Sequence, residues 1–462
     1  MGEELLRHKS DSNIFYGPSF FGLLFAAFLL RLIALMAGRA WKIPVTLEYG
    51  QIADNIIAGK GFAFDFYGLR NGAELKSFFP PLYPYIMVFF RETFDRPYLY
   101  LLILQIILSV ITCALIFFIS RDFFSRRASL IAMGLASFYP PFIISSATSF
   151  YPLTCDIFMV ALSVLLIIRC GKNFSMPVVI YAGVSLGIMT LSYPQALILI
   201  PFAILYWLIN KSRDVLRKGL ILVCLYIIII IPWCIRNYEE HGRITNISTN
   251  GGFNFWMGNN PFTMDTGWDV DVEAYKKYIG GREPNPAVTR KDVPDKIKSP
   301  AEFQSFVTSR TRAYLPNEIR ERVGDITETE LESLLYKAGI DYVLDEPLLY
   351  IKRMATKCFY FWIYRPPEGR KPAFASFPGN VIYIVHYMFL FPLAAGGIYE
   401  SRKKWRELSF IFFILVLFTA LYANFFVLSR YRWLIDGFLM VLAGTFLDNM
   451  VERLKLLRGN NK

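Results

Sequence analysis

Glu48 opens a helical pattern, and Asp156 follows Tyr151-Pro152 by one helical turn, so each carboxylate stands at the start of a segment rich in apolar residues. Opposite charges occupy similar places. Arg236 directly follows Ile231-Pro232-Trp233, and Arg430 and Arg432 flank Tyr431. A carboxylate within hydrogen-bond reach of a hydroxyl is a general base, and a guanidinium grips a phosphate through two parallel bonds. Together these residue types offer acids for proton transfer and cations that suit a phosphate. Each also has a plainer reading. Glu48 would complement a helix dipole, Asp156 would be an interfacial acid, and the arginines would anchor to lipid headgroups. The histidines, three in all, are too scattered for a zinc site, and no cluster suggests a metal or a cofactor. Six cysteines lie mostly inside apolar runs, without the spacing of a metal site or disulfide ladder.

The elements that must position these groups are set by composition. Of 462 residues, 55% are hydrophobic and only 19% charged, with a mean hydropathy of +0.39. That excludes a water-soluble globular domain, and the 42 Phe and 27 Tyr exclude disorder. A span needs about 20 apolar residues. Ten candidates qualify: 18–37, 98–119, 128–147, 153–169, 176–192, 195–210, 219–235, 376–398, 408–427 and 432–450. The first lacks a cleavage site of small residues and reads as retained. Ser192-Tyr193-Pro194 leaves only a tight turn between two short spans, 176–192 and 195–210. The predicted fold is an all-α polytopic membrane protein with about ten transmembrane helices, interfacial helices and a small mixed external domain. Arg31, within the first span, is expected to snorkel outward.

With the N-terminus in the cytoplasm, Lys and Arg crowd the connections 120–127, 169–175, 211–218 and 401–407 and both tails, whereas those near 148–152 and 193–194 carry none. The net charge of +12 is thus a topology signal and a contact with membrane lipids, not a nucleic-acid footprint. This divides the chain into 1–235, with a first external loop at 38–97; an external excursion at 236–375; and C-terminal helices at 376–462.

Within the first loop, Tyr49, Ile52, Ala53, Ile56 and Ile57 share one helix face while Glu48, Gln51 and Asn55 share the other, and Gly59 ends the helix. The cluster Pro80-Pro81-Leu82-Tyr83-Pro84 fixes a rigid turn, and Tyr83 is a candidate lining residue. In the excursion, Asn250-Gly251-Gly252 to Gly258-Asn259-Asn260-Pro261 combines glycines, amides and aromatics. Asn259 and Asn260 are candidates for sugar hydroxyls, although such a loop also suits a packed turn. Thr327-Glu328-Thr329-Glu330 is a capping box, and Tyr350 to Trp362 is expected on the membrane surface.

Taken in order, these motifs resemble the polytopic type C glycosyltransferases that use polyprenyl-phosphate sugars, especially the bacterial branch of aminoarabinose and protein mannosyl transferases. The likeness runs from Glu48-Tyr49 through Pro80-Pro81-Leu82-Tyr83-Pro84, Tyr139-Pro140-Pro141 and Arg236-Asn237-Tyr238 to Ser429-Arg430-Tyr431-Arg432. The resemblance implies an acid of the first loop, here Glu48, acting on the acceptor, and a second acid, here Asp156. Relatives often carry a further acid just before Glu48, where this chain has Val45, Thr46 and Leu47, and Arg-Pro where it has Tyr193-Pro194. On charge, Arg236, Arg430, Lys76 and Arg70 are candidates for the departing phosphate, with Arg432 beside them. The implied partners are a polyprenyl-phosphate sugar and an unidentified lipid, glycan or protein acceptor. Two rival readings stay open: a flippase for a lipid-linked saccharide and a silent glycolipid-binding factor.

Overall fold

The computed structural model describes residues 17–66, 70, 72–172, 175–264, 272–278, 314–363 and 377–459. Among these the chain is helical. In order come α1 (Pro18–Gly38), α2 (Leu47–Ile57), α3 (Leu82–Thr93), α4 (Pro97–Arg121), α5 (Arg126–Ser137), α6 (Pro140–Thr148), α7 (Leu153–Lys172), α8 (Met176–Thr190), α9 (Leu199–Ile209) and α10 (Val215–His241). They continue with α11 (Gly251–Gly258), α12 (Val272–Tyr278), α13 (Asn317–Arg322), α14 (Glu328–Asp345), α15 (Pro347–Trp362), α16 (Phe377–Glu400), α17 (Trp405–Asn424) and α18 (Ser429–Gly459). The expected mixed character is absent among the described residues: pairing is limited to one isolated bridge, Phe64 with Leu75.

The apolar composition dictates an integral membrane bundle. Among the described residues, six stretches are long and apolar enough to cross a bilayer: α1, α4, α7, α10, Met388–Asn424 and Ser429–Arg458. The pair α5 and α6, bent by 47°, makes a seventh if counted as one span. The expected count of ten is therefore not reproduced. Pro140 and Pro141 remove two backbone donors and break the predicted span 128–147 after Ser137. Met176–Thr190 and Pro194–Ile209 are too short to meet the same test.

Arg31 does not snorkel. It shares one face of α1 with buried Ala27 and Leu35. Its guanidinium donates to Ser109 Oγ (2.8 Å), the Ala27 carbonyl (2.9 Å) and the Ser137 carbonyl (3.3 Å). The break in α5–α6 exposes that last carbonyl, so the arginine finds inside the bundle what snorkelling would seek outside.

The long loops gather at one end of the bundle, and two aromatic clusters hold them there. One joins Tyr49 and Ala53 of α2 to Tyr83 and Met87 of α3, Leu101 and Ile106 of α4, and Cys155 of α7. The other joins Phe62, Phe64 and Phe78 of the first long loop to Trp233 of α10, Phe253 and Trp256 of α11, and Leu331 and Leu335 of α14. At this end α14 starts as the sequence predicts, with the Thr327 hydroxyl accepting from the Glu330 amide.

Candidate active site

The i, i+3, i+4 pattern of α2 turns Tyr49, Ile52 and Ala53 inward, all nearly or fully buried, and leaves Glu48 half-buried in the first turn. Leu47, just before Glu48, adopts φ 48°, a left-handed conformation that costs a branched residue about 1–2 kcal/mol. Tyr49 fills the centre of the site. Its ring meets Phe79 (5.1 Å), Tyr151 (5.2 Å) and Tyr83 (5.5 Å), and its hydroxyl is hydrogen-bonded with that of Tyr151. Burial pushes the Tyr49 hydroxyl well above its ordinary range, and the negative potentials of Tyr151, Asp156 and Glu48 push it further. Both candidate carboxylates therefore act on one phenol.

Asp156 lies in the first turn of α7, 6% exposed, and accepts a 2.5 Å bond from Ser192 Oγ. Ser192 is presented by the tight turn between α8 and Pro194, so the connection that shortened two predicted spans delivers a donor to the acid. Arg430, in the first turn of α18, lies with Cζ 5.1 Å from the Tyr151 ring centre and 5.8 Å from that of Tyr431. Such placement over ring faces is a cation–π arrangement. Its Nε is shut off from solvent and has no hydrogen-bond partner. Tyr431 stacks on Tyr422 at 4.3 Å and 11°, and the Tyr422 and Tyr193 hydroxyls bond at 2.6 Å. Glu48, Asp156, Arg430 and Tyr83 thus come together around a basket of tyrosines at the loop end.

The other predicted residues go elsewhere. Arg236 donates to the carbonyls of Lys76 (2.6 Å) and Phe62 (3.0 Å) and to Ser77 Oγ (2.9 Å), tying the first long loop to α10. Lys76 pairs with Glu240 at 2.8 Å. Arg70 donates to the carbonyls of Glu74 (3.0 Å) and Ile326, and burial lowers its affinity for a proton while Glu328 opposes that. Arg432 is fully buried and paired with Asp436 at 2.8 Å. Asn259 donates to the Asn424 carbonyl (2.7 Å), and Asn260 closes α11 through the Trp256 carbonyl (2.9 Å). These side chains hold parts of the protein together.

Sequence reasoning missed Tyr49, Tyr151, Ser192, Tyr193 and Tyr422 as members of the site. A signal existed for some of them, since Tyr151 and Tyr431 adjoin the charged candidates in sequence. It also read Glu328 only as part of a cap. Glu328 is buried and accepts from the amides of Lys76 (2.6 Å) and Ser77 (3.0 Å) and from the Thr249 hydroxyl.

Residues 79–235 match the family described as dolichyl-phosphate-mannose-protein mannosyltransferase. That stretch contains Asp156 and stops short of Glu48 and Arg430. No curated protein matches the chain. Among solved structures, the apo oligosaccharyltransferase of Archaeoglobus fulgidus superposes with a TM-score of 0.55 at 13% identity, over 96% of this chain and 51% of that one. The chain shares the fold of that archaeal protein. The archaeal oligosaccharyltransferase AglB from the same organism, in complex with an inhibitory peptide and a dolichol-phosphate, gives 0.51 at 13% identity over 95% and 51%. ArnT from Cupriavidus metallidurans, bound to undecaprenyl phosphate, superposes more loosely, at 0.39 and 13% identity over 90% and 76%. The chain spans about half the length of the archaeal proteins, at 51% of each. In this chain the candidate site at the loop end is built from α2, α7 and α18.

Proposed function

We propose that this protein is a membrane glycosyltransferase that moves a sugar from a polyprenyl phosphate to an acceptor hydroxyl on the external face of a bacterial inner membrane. The observation that carries the reading is the convergence of Glu48, Asp156 and Arg430 on the Tyr49–Tyr151 pair. Glu48 takes the acceptor proton as the acceptor oxygen bonds to the anomeric carbon. The bond from that carbon to the phosphate oxygen breaks, and the electron pair leaves on the polyprenyl phosphate. Arg430 faces the growing negative charge, where a preformed cation lowers the barrier most. One base and one displacement invert the anomeric centre. Asp156, held by Ser192, adds its negative potential at the Tyr49 hydroxyl and disfavours its ionisation. The polyprenyl chain would lie between the helices. The external face follows from the Lys and Arg that crowd the connections at the opposite end.

The test uses protein purified into lipid, a panel of polyprenyl-phosphate sugars and a membrane extract as acceptor. Release of polyprenyl phosphate from one donor by the wild type, lost in Glu48→Gln, is expected. Equal release by both would move the base elsewhere. No release with any donor or extract would overturn the transferase reading and favour a flippase.

A further inference from the structure

Lys357, on the inner face of α15, has no exposed surface. Its ammonium donates to the Gly258 carbonyl (2.7 Å), the Phe425 carbonyl (2.7 Å) and Asn259 Oδ1 (3.3 Å). All three acceptors are neutral, and an ammonium has three N–H bonds to give, so the site is saturated by the charged form. Burying a cation without a counter-charge is expensive and is sustained only when its donors are met. Burial, with Arg353 one turn earlier adding repulsion, pushes the Lys357 ammonium down to about 7. A lysine kept at such cost holds something that a leucine would not.

What it holds is the turn leading into Arg430. Gly258 ends α11, and Phe425 ends α17. A Cβ at Gly258 would lie 1.9 Å from the Phe425 carbonyl oxygen, so only glycine lets the two backbones approach closely enough to share one ammonium. Four further contacts grip the same turn and the helix ends beside it. The Asn259 amide donates to the Asn424 carbonyl (2.7 Å), and the Tyr350 hydroxyl of α15 donates to Asn424 Oδ1. One turn beyond Lys357, Phe361 stacks on Tyr422 (5.9 Å, 20°), which in turn stacks on Tyr431. At the end of α15, the Trp362 carbonyl accepts from Arg432 (3.0 Å). The turn itself closes with the Tyr431 amide donating to the Leu428 carbonyl (3.0 Å).

We infer that Lys357 is a positioning residue for Arg430: it locks the turn at 424–428 against the end of α11, and so fixes where the Arg430 guanidinium stands over Tyr151. The inference rests on the proposed function for Arg430's role but not for the lock itself. It makes α11 to α15, which contact none of the candidate carboxylates in the contacts described above, a determinant of phosphate binding.

The full chain in nanodiscs tests both layers. Hydrogen exchange is followed for the wild type, Lys357→Met and Gly258→Ala, the glycine variant breaking the lock while keeping the lysine. Amides of 425–431 should exchange roughly ten-fold faster in both variants while α4 is unchanged. Unchanged exchange at 425–431, or loosening that reaches α4 equally, overturns the lock. Binding of undecaprenyl phosphate is then titrated in Lys357→Met, Arg430→Gln and the double variant. Lys357→Met should weaken it about ten-fold and Arg430→Gln roughly 10- to 100-fold, and the pair should be no weaker than Arg430→Gln alone. Additive losses would show that Lys357 does not act through Arg430. A wild type that binds no polyprenyl phosphate would instead remove the proposed function and leave the lock to be judged on exchange alone.

Discussion

Arg430 and Arg432 are two residues apart on one helix, yet they live in different kinds of site. Arg432 faces the interior of the bundle, where Asp436 and the Trp362 carbonyl meet it, and Asp436 is bonded in turn by the Tyr139 hydroxyl at 2.5 Å. Arg31, across the same break in α5–α6, is also fully engaged. At the loop end, Arg430 lies against ring faces with one nitrogen left without a partner. The interior has spent its charges on closing a broken helix, and the loop end has charge left over. Unspent charge at a place where two carboxylates also meet supports the proposed reacting centre, since perturbed and unpartnered polar groups cluster at functional sites.

The contrast is tested most sharply at Glu48. If the loop end is the reacting centre, Glu48→Gln removes the base, and transfer should fall by roughly 10²- to 10⁴-fold. The thermal midpoint of the protein in lipid should stay where it is, since Glu48 is half-buried at a helix start. Steady-state release of polyprenyl phosphate, with thermal unfolding measured alongside, separates the two. A variant that unfolded earlier and still turned over would place Glu48 with the interior residues.

Next comes the opposite result for Arg432. Arg432→Met strands a fully buried Asp436 with the Tyr139 hydroxyl alone, and breaking such a pair costs about 3–5 kcal/mol. The expected outcome is loss of folded protein, recovered when Asp436 is also replaced by Leu. Arg430→Gln should show the reverse. The fold persists, while affinity for the phosphate lipid drops roughly 10- to 100-fold, the worth of a hydrogen bond to a charged group. Equal stability losses in the two variants would erase the distinction.

That distinction explains how much the sequence made legible. The helical start at Glu48, the acid one turn after Pro152 and the cap at Thr327 all follow from neighbours in sequence, and all stand in the structure, whereas the break at Pro140-Pro141 interrupts a span expected to be continuous. Residues two apart on a helix point to nearly opposite sides, so the Ser429-Arg430-Tyr431-Arg432 motif announces two arginines without saying which is spent. Arg236 looked free because its acceptors, the Phe62 and Lys76 carbonyls, belong to a loop over 150 residues earlier. Lys357 drew no notice within the Tyr350 to Trp362 stretch for the same reason: its cage is assembled from Gly258 and Phe425, and no local pattern encodes that meeting. Composition fixed what is buried in lipid, but partners at long separation decide which charges remain available.

The smallest expected effect concerns a carboxylate that the loop end leaves unsatisfied without any role in the site. Glu332, on α14, has a buried Oε1 with no hydrogen-bond partner. Burial and the neighbouring Glu328 push its carboxyl up to about 7, while Arg243 pulls the other way. A carboxyl raised in the folded state binds a proton more tightly folded than unfolded. Its contribution to stability is therefore complete below the ordinary carboxylate range and is lost as pH rises from there to about 7. The unfolding midpoint should fall slightly across that window, and Glu332→Gln should flatten the slope and raise the midpoint at neutral pH. Transfer activity at a fixed pH should not change. If Glu332→Gln instead abolished transfer, unspent charge would mark the active site in two places at the loop end, and the assignment of the reacting centre to the Tyr49 basket alone would fail.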